Sequence, residues 1–192
     1  MIPLILQPSA LRLALVGRGE LAIRRLEWLI EGGAKDLAVF SDDPAPALAA
    51  RAGDLLREHL PGGRDLEGVQ VLWIADLPLR LARPLRNAAR AAGALVSVED
   101  TLPLCDFHNP SVVRRGDLLL TVSTAGRSPG LAARIRQRLE RTFGPEWAER
   151  LEIIGARRTA WKRRARSLPE LARLSDALID RRRWLPEETV SR

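Results

Sequence analysis

The residues of this chain with the clearest chemical potential are a glycine turn and three aspartates that follow apolar runs. Gly17-Arg18-Gly19-Glu20-Leu21-Ala22 comes directly after the mostly apolar stretch 11–16. In this pattern Gly17 permits a tight bend, Gly19 lets a pyrophosphate approach the backbone, and Ala22 lets a helix pack closely on the strand before it. The amides of Glu20, Leu21 and Ala22 open that helix, and phosphates would sit on such N–H groups. Asp42 stands just after the next apolar stretch, 37–40, where an acid would hold a ribose 2′-hydroxyl and repel a 2′-phosphate. The expected cofactor is therefore NAD rather than NADP. Ala75-Asp76 and Asp100 close two further apolar runs, at the strand ends where open parallel sheets place their ligands.

Other chemistries are excluded by what the chain lacks. It has one cysteine, Cys105, and two histidines, His59 and His108, so neither a disulfide framework nor a local zinc-type ligand spacing can be assembled. It has no tyrosine, and lysine only at Lys35 and Lys162, which rules out a Tyr-x-x-x-Lys dehydrogenase site. A Gly-Lys-Ser/Thr phosphate loop is absent too.

The elements that must position these residues follow from periodicity. Apolar residues at Ala22, Leu26, Leu29 and Ile30 keep helical spacing after the glycine turn, and Gly32-Gly33 stops the helix. Strands are expected at 11–16, 37–40, 55–60, 69–75 and 94–98, with helices at 47–52 and 79–92 between them. Residues 1–9 are expected as an extended lead-in or an edge strand. This alternation predicts an α/β domain, a Rossmann-like doubly wound parallel sheet. Beyond it, 111–115 and 118–122 read as a hairpin about Gly116, and Ser128-Pro129 as the N-cap and first residue of a helix running to about 143. Trp147, Leu151, Ile154 and Trp161 mark another helix, and Ser167-Leu168-Pro169-Glu170 forms the capping box of a last one. The apolar runs are too short to span a membrane, and the first residues carry no basic leader, so a cytoplasmic location is expected.

Several stretches resemble the precorrin-2 dehydrogenase family, the dehydrogenase and ferrochelatase modules of siroheme synthesis. They are Val16-Gly-Arg-Gly-Glu-Leu-Ala22, Val96-Ser-Val-Glu-Asp100, Leu104-Cys-Asp-Phe107 with Pro110, Val112-Val-Arg-Arg-Gly-Asp-Leu118, and Ser123-Thr-Ala-Gly-Arg-Ser-Pro129 with Leu131-Ala-Ala-Arg134. The resemblance implies NAD-dependent oxidation of precorrin-2 to sirohydrochlorin and, in bifunctional members, insertion of ferrous iron. Asp100 matches the aspartate the family uses in both steps, as proton acceptor and as transient metal contact. A carboxylate there could take the proton lost alongside a hydride. Thr124 matches the serine or threonine beside the family's cleft, and Ser128 the helix start after it. The resemblance further implies 1–107 as an NAD-binding domain, 108–144 as a dimerisation region of an interlocked homodimer, and 145–192 as a helical domain over the cleft.

The chain departs from the family's pattern in three places. Ala75-Asp76-Leu77 stands where Ala-Thr-Asp is usual, His108-Asn109 replaces an apolar pair, and Thr124-Ala125-Gly126 replaces Thr-Gly-Gly. His108 is thereby a candidate second acid or base. Arg114, Arg115, Arg127 and Arg134 lie near the motifs and could pair with the substrate's carboxylates. The net charge is +7, and residues 157–192 hold eleven Lys or Arg against five Asp or Glu, or +6. Two rival readings remain open on the sequence: a non-catalytic NAD or tetrapyrrole sensor, and nucleic-acid binding through the basic runs 162–166 and 181–183. No base-reading module accompanies those runs.

Overall fold

A computed structural model describes residues 1–164 and 167–185. The chain divides into two units, Met1–Asn109 and Pro110–Arg192. The first holds β1 (Arg12–Val16), α1 (Glu20–Glu31), β2 (Asp36–Phe40), α2 (Pro46–Ala52), β3 (Leu56–Arg57), β4 (Val71–Ile74), α3 (Leu79–Ala91) and β5 (Leu95–Val98). All five strands are parallel, in the order β3-β2-β1-β4-β5.

Central strands of such a sheet must be apolar on both faces, because helices cover both. Leu13, Ala14, Leu15 and Val16 of β1 are all buried, as is every residue of β4. One face packs Ala14, Val16, Leu72, Ile74 and Val96 against Ala82, Leu85 and Ala89 of α3. The other packs Leu13, Leu15, Val39 and Trp73 against Ala22, Leu26 and Leu29 of α1. The strand order reverses between β1 and β4, so a crevice opens at their C-terminal ends.

Of the two readings of residues 1–9 the edge strand is corrected, and so is the length of the third strand. Residues 1–9 form no strand: a 3-10 turn covers Pro8–Ala10, and Met1, Ile2, Leu4 and Ile5 are exposed. Pro3 and Pro8 lack the N–H groups that a sheet ladder needs. The third strand is only Leu56–Arg57, because a 3-10 turn occupies Gly53–Leu55 and the His59 amide folds back onto the Arg57 carbonyl at 2.8 Å.

The second unit begins with an antiparallel hairpin, β6 (Ser111–Arg115) and β7 (Leu118–Val122), turning at Gly116. It continues in α4 (Pro129–Thr142), α5 (Trp147–Trp161) and α6 (Leu168–Arg182). The Ser128 hydroxyl accepts from the Leu131 amide, and the Ser167 hydroxyl from the Glu170 amide, so both expected caps form. The Arg150 guanidinium of α5 stacks on Trp147 and on Trp184, joining α5 to the end of α6. No helix among the described residues is long and apolar enough to cross a membrane.

Candidate functional site

The glycine loop is built by close approach. A Cβ on Gly17 would lie 2.6 Å from the Ala22 Cβ and 2.8 Å from the Ala75 carbonyl, so only glycine lets β1 turn into α1 beside β4. The Ala75 amide donates to the Val16 carbonyl at 2.8 Å, which locks the two strand ends together. Asp76 follows with φ +54, in the left-handed region that Asp and Asn tolerate better than other side chains. From there its Oδ2 accepts the Gly19 amide at 3.1 Å and the Ala22 amide at 2.9 Å. The Asp76 carboxylate therefore sits on the start of α1, where the sequence leads one to expect a phosphate. Of the four amides that a helix start leaves without intrahelical partners, those of Glu20 and Leu21 remain.

At the end of β2, Asp42 is clasped by a neighbour within the glycine loop. Arg18 Nε donates to Oδ1 at 2.8 Å and Nη2 to Oδ2 at 2.6 Å, a bidentate pair. The Arg18 hydrogen bond holds the Asp42 carboxyl below its ordinary range, and Asp42 in turn raises the Arg18 guanidinium. The Arg18 cation, which the spacing of Asp42 does not reveal, offsets the charge that would repel a 2′-phosphate.

Asp100 lies just past β5, on the same edge of the sheet, with φ +57 and its side chain exposed. Its neighbour Glu99 is engaged by Arg25 of α1, whose Nη2 reaches both carboxylate oxygens at 2.9 and 3.1 Å. Asp100 thus remains the open carboxylate of the pair. The loop that carries it is strapped to the outer edge of β5. Asp106 exchanges hydrogen bonds with Val96, amide to carbonyl at 2.7 Å and Oδ2 from the Val96 amide at 3.0 Å. The Cys105 sulfur accepts from the Val98 amide at 3.3 Å and donates to a backbone carbonyl, Val98 at 3.1 Å or Thr101 at 3.4 Å. Arg25, Cys105 and Asp106 were not singled out on the sequence as site-building residues, although Cys105 and Asp106 lie inside a quoted motif.

His108 is exposed beside Asn109, whose Oδ1 accepts the Trp73 indole N–H at 3.1 Å. Phe107 packs edge-on against the same Trp73. The polar pair that departs from the family pattern is thus divided: Asn109 satisfies a buried donor and His108 faces solvent.

In the second unit, Thr124 donates to the Ser128 carbonyl at 3.0 Å and accepts the Ser128 amide at 3.3 Å, closing its own loop. Arg115 donates to the carbonyls of Phe143 at 2.8 Å and Glu140 at 3.4 Å, so its guanidinium serves the C-terminal end of α4. Arg114, Arg127 and Arg134 are exposed. Arg157, Arg163 and Arg164 line a shallow depression with Trp161, while Arg166 of the basic run lies outside the described residues. No group of three or more His, Cys, Asp or Glu suited to a resident metal occurs among the described residues.

Residues 4–111 match the family described as "Putative NAD(P)-binding", and residues 115–142 the family described as "Sirohaem biosynthesis protein central". The first match takes in more than half of the chain, and the chain belongs to that NAD(P)-binding family. It is 34% identical over 141 residues to the siroheme synthase of Methylococcus capsulatus, covering 72% of this chain and 30% of that protein. It is 36% identical over 160 residues to that of Azotobacter vinelandii, covering 81% and 34%. The chain thus spans about a third of the length of these relatives. A solved structure titled "SirC, precorrin-2 dehydrogenase" superposes with a TM-score of 0.75 at 21% identity, covering 96% of this chain and 92% of that one, and so shares the fold.

Proposed function

We propose that this chain oxidises precorrin-2 to sirohydrochlorin with NAD, and that it also inserts ferrous iron into the product. The observation that carries the reading is the exposed Asp100 carboxylate at the end of β5, on the edge where the glycine loop ends β1, in a chain of this family. The residues present fit a dinucleotide: Gly17 and Gly19 keep side chains out of the turn, the Glu20 and Leu21 amides face its start, and Asp42 stands at the ribose position. Bound NAD supplies the acceptor for the hydride.

The rest of the chemistry belongs to the chain. Loss of two electrons as hydride leaves the macrocycle with a proton to shed, and Asp100 accepts it. The strap through Cys105 and Asp106 holds that carboxylate at the sheet edge, and Arg25 draws Glu99 away from it. In iron insertion the same carboxylate accepts pyrrole protons and contacts the cation through one readily released oxygen, which needs no multi-ligand metal centre. Two copies associate through the hairpin and α4, where Leu131 and Ile135 lie one helical turn apart and exposed.

Anaerobic incubation with precorrin-2 and NAD, with and without ferrous iron, read by absorbance, tests both steps. Asp100→Asn keeps the left-handed turn and removes the base, so oxidation should fall roughly 100-fold or more. Full activity in this variant would show that another group takes the proton.

A further inference from the structure

We propose that Asp76 is an internal substitute for a dinucleotide's pyrophosphate: its carboxylate holds the α1 amides in the free protein and must leave them when cofactor binds. Asp76 would thereby set cofactor affinity. The inference rests on the reading that the glycine loop binds NAD, and concerns what that loop holds beforehand.

Three observations carry it. One carboxylate oxygen takes two amides at the start of α1, Gly19 at 3.1 Å and Ala22 at 2.9 Å. These donors and the positive end of the helix dipole are what an incoming phosphate would use. The space left by the second glycine is already taken, since a Cβ on Gly19 would lie 3.3 Å from that same Oδ2. Finally, Asp76 is placed by its own strand: β4 ends at Ile74 beside β1, and the left-handed turn at φ +54 follows at Asp76.

Two consequences follow from charge. A pyrophosphate brought to these amides meets a carboxylate a few ångströms away, and like charges in a partly dehydrated crevice repel strongly. The free protein, in turn, has a charged cap on α1 that it forfeits on binding. The side chain can rotate away without disturbing the strands, because Ala75 rather than Asp76 makes the β1 contact.

The backbone conformation chooses the test. Asp76→Gly suits a positive φ and removes the cap, while Asp76→Asn suits it and removes only the charge. Calorimetric titration of the wild-type chain and both variants with NAD, ADP-ribose and adenosine is the measurement, alongside thermal unfolding without ligand. NAD and ADP-ribose should bind about tenfold or more tightly to Asp76→Gly, with Asp76→Asn between, while adenosine affinity stays unchanged. The unliganded glycine variant should melt several degrees below wild type. Equal or weaker NAD binding in both variants overturns the proposal, as does an equal gain for adenosine. Folding is checked by circular dichroism, and in wild type the Gly19 and Ala22 amide resonances should shift on adding ADP-ribose; static resonances with saturable binding also overturn it. Tighter ADP-ribose binding without precorrin-2 turnover would sink the dehydrogenase reading and leave this one standing. Turnover by wild type with unchanged variant affinities would do the reverse.

Discussion

At the scale of single residues, the cofactor site is a set of charges that answer each other. Asp42 is paired with Arg18, so the position proposed for the ribose carries a neutral pair instead of a bare acid. Arg18→Met should therefore lower affinity for NADP relative to NAD by roughly tenfold, since a 2′-phosphate would then face Asp42 alone. Competitive titration of the two nucleotides reads this. The pair also has a pH signature. Because the folded state lowers the Asp42 pKa, its contribution is present above the unfolded value of about 3.9 and is lost as pH falls through the lower folded value. Denaturant midpoints of wild type and Arg18→Met should differ at neutral pH and converge in acid. The difference should be small, because both side chains are in contact with water. Ala125 is a second residue-scale case. It has φ +56, where a Cβ is strained, at the position where the family pattern has glycine. Ala125→Gly should stabilise the protein by about 0.5–1 kcal/mol in urea unfolding, strain relief exceeding the added entropy of the unfolded chain. An unchanged midpoint would mean that the loop relaxes around the alanine.

At the scale of elements, the loop after β5 depends on one sulfur. Cys105→Ala would leave the Val98 amide without its acceptor, while the Val98 carbonyl keeps the Thr101 amide, and should cost about 1–2 kcal/mol, read as a lower urea midpoint with unchanged slope. What could be read from the sequence was what neighbouring residues decide together. The turn at Gly17, the helix from Glu20 and the caps at Ser128 and Ser167 rest on contacts within a few positions. So does the alternation that makes the sheet parallel. The Asp76 cap joins residues 54 and 57 positions apart, and no local pattern announces a hydrogen bond of that span. The same holds for Arg25 with Glu99, 74 positions apart. The expected strand 55–60 is longer than the observed one because the leucines at 55, 56 and 60 give no local end point, whereas its length is decided by how far β2 can pair with it. Asp100 could be found from its place after a strand, but its freedom from Arg25 could not.

At the scale of the whole molecule, the chain combines a two-faced sheet, a hairpin and a basic helical region, and its charge excess lies towards the C-terminus. If Leu131 and Ile135 cover a second copy, the double substitution to glutamate should turn a dimer into a monomer in light scattering without loss of helix content. A dimer that persists would place the contact elsewhere. The exposed Arg114, Arg127 and Arg134 should also make the encounter with a polycarboxylate macrocycle faster at low ionic strength, and the second-order rate constant should decline as salt is added. The sheet itself is finished at both borders. On one side β3 is two residues long, and on the other the amides and carbonyls of Val96 and Val98 are taken by the loop that follows them. The covered border of β5 offers no template for a stranger's strand, and the two-residue β3 offers a short one. Concentrated or warmed protein should accordingly resist running on into fibres, and the loop that presents Asp100 also guards its colloidal stability.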